Sequence, residues 1–422
     1  MGEVPRAESA IAIAVFATVY LGTLAGRFPR LALDRTGIAL LGAIVLVATG
    51  ASSLERAMAA VDAPTILLLF GLMVVSAQLR LGGFYARTAN GLASVSLQPV
   101  ALLAFLIAGV GLLAALFSND IICLAMTPVW IDACLRRRLD PRPFLLALAC
   151  AANVGSAATL IGNPQNMLIG QALGLSFAGY LAQAALPTLF GLAITWAVVA
   201  WQWRGRWTAA DAWLAAPTDA AADHEPIPAF DRWQTAKGLT VAAALLALFL
   251  ASDVPRELAA LAGAGVLLLS RRLHSRATLG LVDWQLLVLF LGLFVVNDAL
   301  QHTGLPADAV AALRTSGIDA EQPGWLFAAV ALLSNAVSNV PAVMLLLPVA
   351  THPLGGTVLA LASTFAGNLL IVGSIANMIV IDAAGRRGIA IDWRGHARTG
   401  VPVTLLTLAL AALWLAFLAR CS

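Results

Sequence analysis

Charge is nearly absent from long reaches of this chain, and that constrains its fold more than any motif does. The twenty residues from Gln98 to Phe117 carry none, and after Asp120 the chain is apolar again as far as Ile131. Such runs recur through the 422-residue sequence, in which 60% of residues are hydrophobic and 11% charged. A soluble domain carries about 25% charged residues, so no water-soluble surface can be assembled from this composition. Charge-poor runs of about 18 residues or more are long enough, as helices, to cross a bilayer. The sequence reads as an all-α membrane protein.

Apolar runs between polar breaks place spans near 9–26, 36–50, 64–79, 144–173 and 176–203, then near 235–251, 257–270, 284–301, 355–383 and 399–419. The run from Ile11 reads as a first span and not as a signal peptide. Two further stretches, 98–134 and 324–351, are interrupted by "SND" and "SNAVSN", so each is either a long bent span or a hairpin that enters and leaves on one side. Charge separates the two options. With both as re-entrant hairpins and the loop "RFPRLALDR" in the cytoplasm, 20 of the 25 basic residues fall on one side and 5 on the other. That split obeys the positive-inside rule, whereas counting either stretch as a crossing mixes the charges. The expected topology is ten spans, two hairpins and both termini outside. Trp201, Trp203 and Trp207 would anchor the inner end of the fifth span. Residues 204–234, with three prolines and five acids, read as a solvated cytoplasmic linker.

The chain also resembles itself. "VDAPTILLLFGLMVVSAQLRLGG" from Val61 aligns without gaps to "VDWQLLVLFLGLFVVNDALQHTG" from Val282, an offset of 221. "SNDIICLAMTPV" from Ser118 aligns to "SNVPAVMLLLPV" from Ser338 at 220, and "LIGNPQNM" from Leu160 to "IVGSIANM" from Ile371 at 211. Shared apolar composition would match Leu, Ala and Val; it would not match Asp, Asn, Gly and Pro. The chain thus divides into a first repeat (1–203, with hairpin 98–134 and broken helix 144–173), the linker, and a second repeat (235–422, with hairpin 324–351 and broken helix 355–383). Five spans per repeat is an odd number, so the halves lie upside down relative to each other. Inverted repeats with interrupted helices are an architecture of secondary transporters.

Four polar breaks carry the candidate chemistry: Ser118-Asn119-Asp120, Gly162-Asn163-Pro164, Ser338-Asn339-Val340-Pro341 and Gly373-Ser374. Ser and Asn cap helix starts and Pro fits the first turn. A break within the bilayer exposes backbone groups, tolerated only where protein or a wet cavity covers them. Freed carbonyls suit Na+, and inward-pointing helix N-termini attract anions. The candidate substrate-binding residues are Ser118, Asn119, Asp120, Asn163, Asn166, Ser338, Asn339, Ser374 and Asn377. Asp120 is the one carboxylate in the tips and has Val340 as its counterpart; an intramembrane carboxylate suits a proton carrier or cation ligand. No Arg or Lys accompanies it. The five histidines and four cysteines show no metal-ligand spacing, so no metal is expected beyond Na+. There is no GxxxxGK[ST] for a nucleotide-driven pump and no catalytic cluster for an enzyme.

The two tips, the "LIGNPQN" and "VGSIANM" breaks and the five-plus-five layout resemble the ion transporter superfamily, which includes divalent anion/sodium symporters, citrate transporters, arsenite permeases and one class of sodium/proton antiporters. In the divalent-anion branch both tips read Ser-Asn-Thr. Here Asp120 and Val340 replace the threonines, and the tips look more like bacterial anion transporters grouped with arsenite permeases. The resemblance implies cation sites at carbonyls around Ser118, Asn119 and Gly162 and around Ser338, Asn339 and Gly373, alternating access against a scaffold, and a homodimer. The expected function is a secondary transporter moving a small anion across the bacterial inner membrane, coupled to H+ or Na+. Arsenite efflux or Na+/H+ antiport is the alternative, and an ion channel the alternative of another class. No cofactor and no nucleic-acid partner is expected beyond the coupling ion, the substrate and the bilayer.

Overall fold

The computed structural model describes residues 6–25, 32–208 and 229–421. The middle of the expected linker, part of the loop "RFPRLALDR" and the extreme termini lie outside them. Twenty α-helices run through the described residues, and the sole β feature among these is an isolated bridge between Leu139 and Thr208. The chain opens with α1 (Arg6–Ala25), α2 (Arg35–Ala48), α3 (Leu54–Ala59), α4 (Ala63–Leu81) and α5 (Phe84–Ser94). Next come α6 (Pro99–Leu116), α7 (Asn119–Arg136), α8 (Pro141–Ser156), α9 (Pro164–Ala172) and α10 (Phe177–Gln202). Beyond the linker stand α11 (Arg232–Ala251), α12 (Arg256–Leu268), α13 (Ser275–Leu279), α14 (Trp284–His302) and α15 (Leu305–Thr315). The last are α16 (Pro323–Val337), α17 (Asn339–Leu346), α18 (Gly355–Ala366), α19 (Ile375–Arg386) and α20 (Trp393–Cys421).

Seven of these, α1, α4, α6, α10, α11, α14 and α20, are long and apolar enough to cross a membrane unaided. The sequence reading counted ten spans, and the difference has a plain cause. At about 1.5 Å per residue, α2 and α12, with 14 and 13 residues, fall well short of the about 30 Å hydrocarbon core. The stretches 144–173 and 355–383 are divided into shorter helices, and α6 was assigned to a hairpin arm. Leu112, Leu189, Leu332 and Leu413 are each more than 60% exposed, as a lipid-facing surface requires and a soluble one does not tolerate.

Local sequence sets the helix starts. Asp62 accepts from the Thr65 amide to begin α4, and Asp283 accepts from the Leu286 amide to begin α14. Both helices are 19 residues long at an offset of 221, and α5 and α15 are both 11 residues long at the same offset. Each pair is joined through a left-handed glycine, Gly83 (φ 72°) and Gly304 (φ 77°), where a side chain would be strained.

The packing between the chain's two parts is reciprocal. Helix α4 lies on α12, and α14 lies on α2. A methyl group at Gly71 would meet the Ala260 backbone at 2.7 Å, and one at Gly292 would meet the Ala39 backbone at 2.6 Å. Ala39 and Ala260 also stand 221 apart in the chain. Helices α6 and α8 cross as closely, with Gly155 set against the backbone of Gly111. Small residues at such crossings let backbones approach in lipid, where no hydrophobic force draws helices together. The end of α7 returns to the end of α5, just ahead of α6, where Arg137 Nη2 donates to the carbonyls of Ala93 (2.5 Å) and Val95 (2.8 Å).

These contacts make a prediction. Gly71→Ala and Gly292→Ala should each lower the melting temperature of the purified protein, since overpacking costs about 1–3 kcal/mol. Gly91→Ala, in α5 with open space around it, should be neutral or stabilising.

Candidate functional site

The four breaks read from the sequence lie at helix starts. Helix α7 begins at Asn119 after Ser118, α9 at Pro164 after Asn163, α17 at Asn339 after Ser338, and α19 at Ile375 after Ser374. The first tip is tied to the neighbouring break by a hydrogen bond from the Asn119 amide to the Gly162 carbonyl at 3.1 Å. Gly162 has no room for anything larger, because a Cβ there would lie 2.2 Å from the Ser156 carbonyl oxygen.

The breaks of α8–α9 and α18–α19 solve one backbone problem in one way. A helix that stops leaves carbonyls without intrahelical donors. Asn166 turns its amide back to the Thr159 carbonyl (3.0 Å) and the Ser156 carbonyl (3.4 Å), seven and ten residues earlier. Asn377 does the same with the carbonyls of Leu370 (3.1 Å) and Gly367 (2.8 Å), again seven and ten residues earlier. Tyr180 reinforces the first clasp, accepting from Asn166 Nδ2 and donating to the Ala157 carbonyl at 2.7 Å. Asn163 caps α9 by accepting from the Asn166 amide, and donates to Ser156 Oγ at 2.9 Å. Ser374 caps α19 by accepting from the Ala376 amide.

Asn153, on α8, joins the two clasps. Its Oδ1 accepts from Asn119 Nδ2 (3.1 Å) and from Ser374 Oγ (2.8 Å), and its Nδ2 donates to Asn368 Oδ1 (2.8 Å) and Asn377 Oδ1 (3.1 Å). All four side-chain hydrogen-bonding positions of one buried amide are thus used. Asn368 is held in turn by His396 on α20, whose Nε2–H donates to its carbonyl at 3.0 Å. Asn153 and Asn368 are not among the candidate residues the sequence singled out, and neither is Asn335, within the quoted "SNAVSN".

The second tip is less tightly held. Asn339 lies over Gly367 and Asn335 beside Gly373. The Oδ1 atoms of Asn335, Asn339, Asn119 and Asn166 are buried without a hydrogen-bond partner among the described residues. No hydrogen bond joins Asn119 to Asn339 among those residues; the first tip meets the second broken helix through Asn153. Ser338 has φ 75° and ψ 160°, a region almost restricted to glycine that costs about 1–3 kcal/mol. Its counterpart Ser118 has an ordinary φ of −58°. Asp120 stands in the first turn of α7, half-buried. Among the described residues its carboxylate accepts no hydrogen bond and pairs with no base. No group of three or more His, Cys, Asp or Glu able to hold a metal occurs among them either.

A multi-pass helical chain whose interrupted helices meet around buried amides defines a membrane transporter. A family model described as "Citrate transporter" matches residues 15–366, and the chain belongs to that family. It is 30% identical to an uncharacterized transporter of Mycobacterium tuberculosis over 96% of this chain and 98% of that one. It is 28% identical to the silicon efflux transporter LSI3 of Oryza sativa, covering 90% of this chain and 92% of that one. Among solved structures, the YdaH transporter of Alcanivorax borkumensis shares the fold with a TM-score of 0.56 and 14% identity, over 98% of both chains.

Two pairs of substitutions test the geometry. Ser338→Gly should leave the melting temperature unchanged or raise it, whereas Ser118→Gly should lower it by the equivalent of about 0.5–1 kcal/mol. Asn153→Ala, which leaves several buried groups unpaired at about 1–3 kcal/mol each, should destabilise far more than Asn90→Ala, at an exposed position of α5.

Proposed function

We propose that this protein is a secondary transporter that carries a small anion, or its protonated acid, across the bacterial inner membrane in exchange or symport with H+ or Na+. The observation that carries this reading is the Asn153 junction, where the first tip and both broken helices meet beside Asp120. The architecture that serves it is two inverted repeats of five spans, each with a re-entrant hairpin, and both termini outside. Equal helices at one offset, the reciprocal Gly71–Ala260 and Gly292–Ala39 contacts and the twin Asn166 and Asn377 clasps support the repeat. The return of Arg137 to the connection between α5 and α6 supports the first hairpin.

In this reading Asp120 is the coupling group, because a carboxylate without a protein partner is free to take a proton or a cation. The unpartnered oxygens of Asn119 in the first half and of Asn335 and Asn339 in the second are oxygen ligands suited to Na+. Ser118, Asn163, Asn166, Ser374 and Asn377 shape and cap the breaks, with the Gly162 and Gly373 backbones beside them. Alternating access moves the hairpins and broken helices against a scaffold that includes α4 and α14, and the scaffold is dimeric.

A second reading, export of a hydroxyl-rich oxyacid such as arsenite or silicic acid, is favoured by one feature. The junction recognises through amides and hydroxyls, which suit a neutral polyol-like acid as well as an anion, and the rice relative is a silicon efflux transporter.

Reconstituted into proteoliposomes, Asp120→Asn should keep its melting temperature but lose pH- or Na+-dependent flux. Coupling that survives intact rejects Asp120 as the coupling group. A thermal-shift screen with oxyanions, carboxylates, arsenite and silicic acid, with and without Na+ at two pH values, separates the two substrate readings. Stabilisation by the winning ligand should weaken in Asn119→Ala and Asn339→Ala. Orientation is tested separately: Arg136→Cys should label only from the cytoplasmic side.

A further inference from the structure

A cavity of about 650 Å³ lies where the starts of α8 and α20 meet the end of α10, and Arg142 in its lining stands about three helical turns before Asn153 on α8. Its charge is lopsided. Arg142, Arg206, Arg394 and Arg398 line it against two carboxylates, Asp140 and Asp392. Both carboxylates are committed. Asp140 is buried and holds Arg142 through both oxygens, the shortest contact being 2.7 Å, while Asp392 accepts from the Gly395 amide at 2.8 Å. Arg206, Arg394 and Arg398 are exposed and have no carboxylate partner among the described residues.

The cavity is built and held in shape. The Asp140 amide donates to the Trp207 carbonyl at 2.8 Å, fixing the segment after α10 to the start of α8. Thr399 Oγ1 donates to Gln202 Oε1 at 2.8 Å, and Gln202 Nε2 to the Arg398 carbonyl at 2.5 Å, fixing the end of α10 to α20. Trp203 presents its ring to two guanidinium groups, Arg142 at 5.2 Å and Arg206 at 5.6 Å, and Arg394 lies over Trp393 at 5.2 Å. Arg206 is further oriented by donating to the Gln202 carbonyl. Guanidinium groups set in place by aromatic faces lose less freedom on binding and match the oxygens of a phosphate.

The level of the cavity is marked by neighbouring tryptophans. Trp201 and Trp393 flank it and are exposed, and tryptophans of a membrane protein gather at the headgroup layer. Basic pockets between helices at that level suit anionic headgroups.

We propose that this cavity is a binding site for a phosphate-bearing anion, read by Arg206, Arg394 and Arg398 and distinct from the transport site. Its ligand is the phosphate of an anionic lipid headgroup or free phosphate. By tying α8, which carries Asn153, to α10 and α20, bound ligand holds the two halves together at one end of the molecule.

The test is native mass spectrometry of the purified full chain titrated with dioctanoyl phosphatidylglycerol, with dioctanoyl phosphatidylcholine, and with inorganic phosphate as competitor. Phosphatidylglycerol should bind in preference to phosphatidylcholine, and each Arg→Gln change at 206, 394 or 398 should weaken that preference about fivefold. The triple variant should lose about a hundredfold, with phosphatidylcholine adducts unchanged. Arg398→Gln, an exposed single change, serves if the triple variant does not fold. Competition by inorganic phosphate assigns the site to the free anion as well; no competition assigns it to the lipid. Equal binding of the two lipids without a phosphate adduct, or a phosphatidylglycerol preference that survives the triple variant, overturns the proposal.

Discussion

An interrupted helix in an apolar medium leaves carbonyl and amide groups that water cannot reach, and the rest of this structure depends on how they are satisfied. Each unpaired group in hydrocarbon costs several kcal/mol, so a break persists only where protein supplies the missing partners. Here two asparagines do so with the same reach: Asn166 back to Thr159 and Ser156, Asn377 back to Leu370 and Gly367. With the backbone of the breaks satisfied locally, the remaining side-chain groups are left to meet one another at Asn153. The buried amide centre is therefore a consequence of the breaks.

The two tips are alike in sequence and unlike in mechanics. The first is pinned, its Asn119 amide on Gly162 and its side chain on Asn153, with Ser118 in a relaxed conformation. The second carries backbone strain at Ser338 and keeps two amide oxygens without partners. Helix α7 continues for 18 residues, whereas α17 stops after 8 and passes into a 3-10 turn. The second break therefore carries the strain and the bare oxygens that the first largely avoids.

Much of the helix layout was legible because helix starts obey local rules. Asp62 and Asp283 cap their own helices, Pro141 and Pro164 begin theirs, and left-handed turns fall at Gly83 and Gly304, all set by residues within a few positions. The spans were harder to count, because 144–173 and 355–383 give apolar runs long enough to cross and yet are divided into shorter helices. Within the candidate site, the breaks were legible as Ser-Asn and Gly-Asn-Pro interruptions, but their division of labour was not. Asn166 and Asn377 read as ligands and are seen to donate to backbone carbonyls; Asn335, inside the "SNAVSN" interruption, gave no sign that its oxygen would be left bare.

The sequence by itself determined that this chain lives in a bilayer as helices, where those helices begin, and that Asp120 has no charged neighbour along the chain. Composition and capping are short-range properties, so they survive without knowledge of the fold. Only the tertiary structure decided that Asn153 would meet Asn119, Asn368, Ser374 and Asn377, up to 224 residues away, and that Arg206 from the segment after α10 and two arginines of α20 would gather around one cavity. One amide has at most four hydrogen bonds to give, and which partners take them depends on how closely glycines such as Gly71, Gly155 and Gly292 let the helices approach.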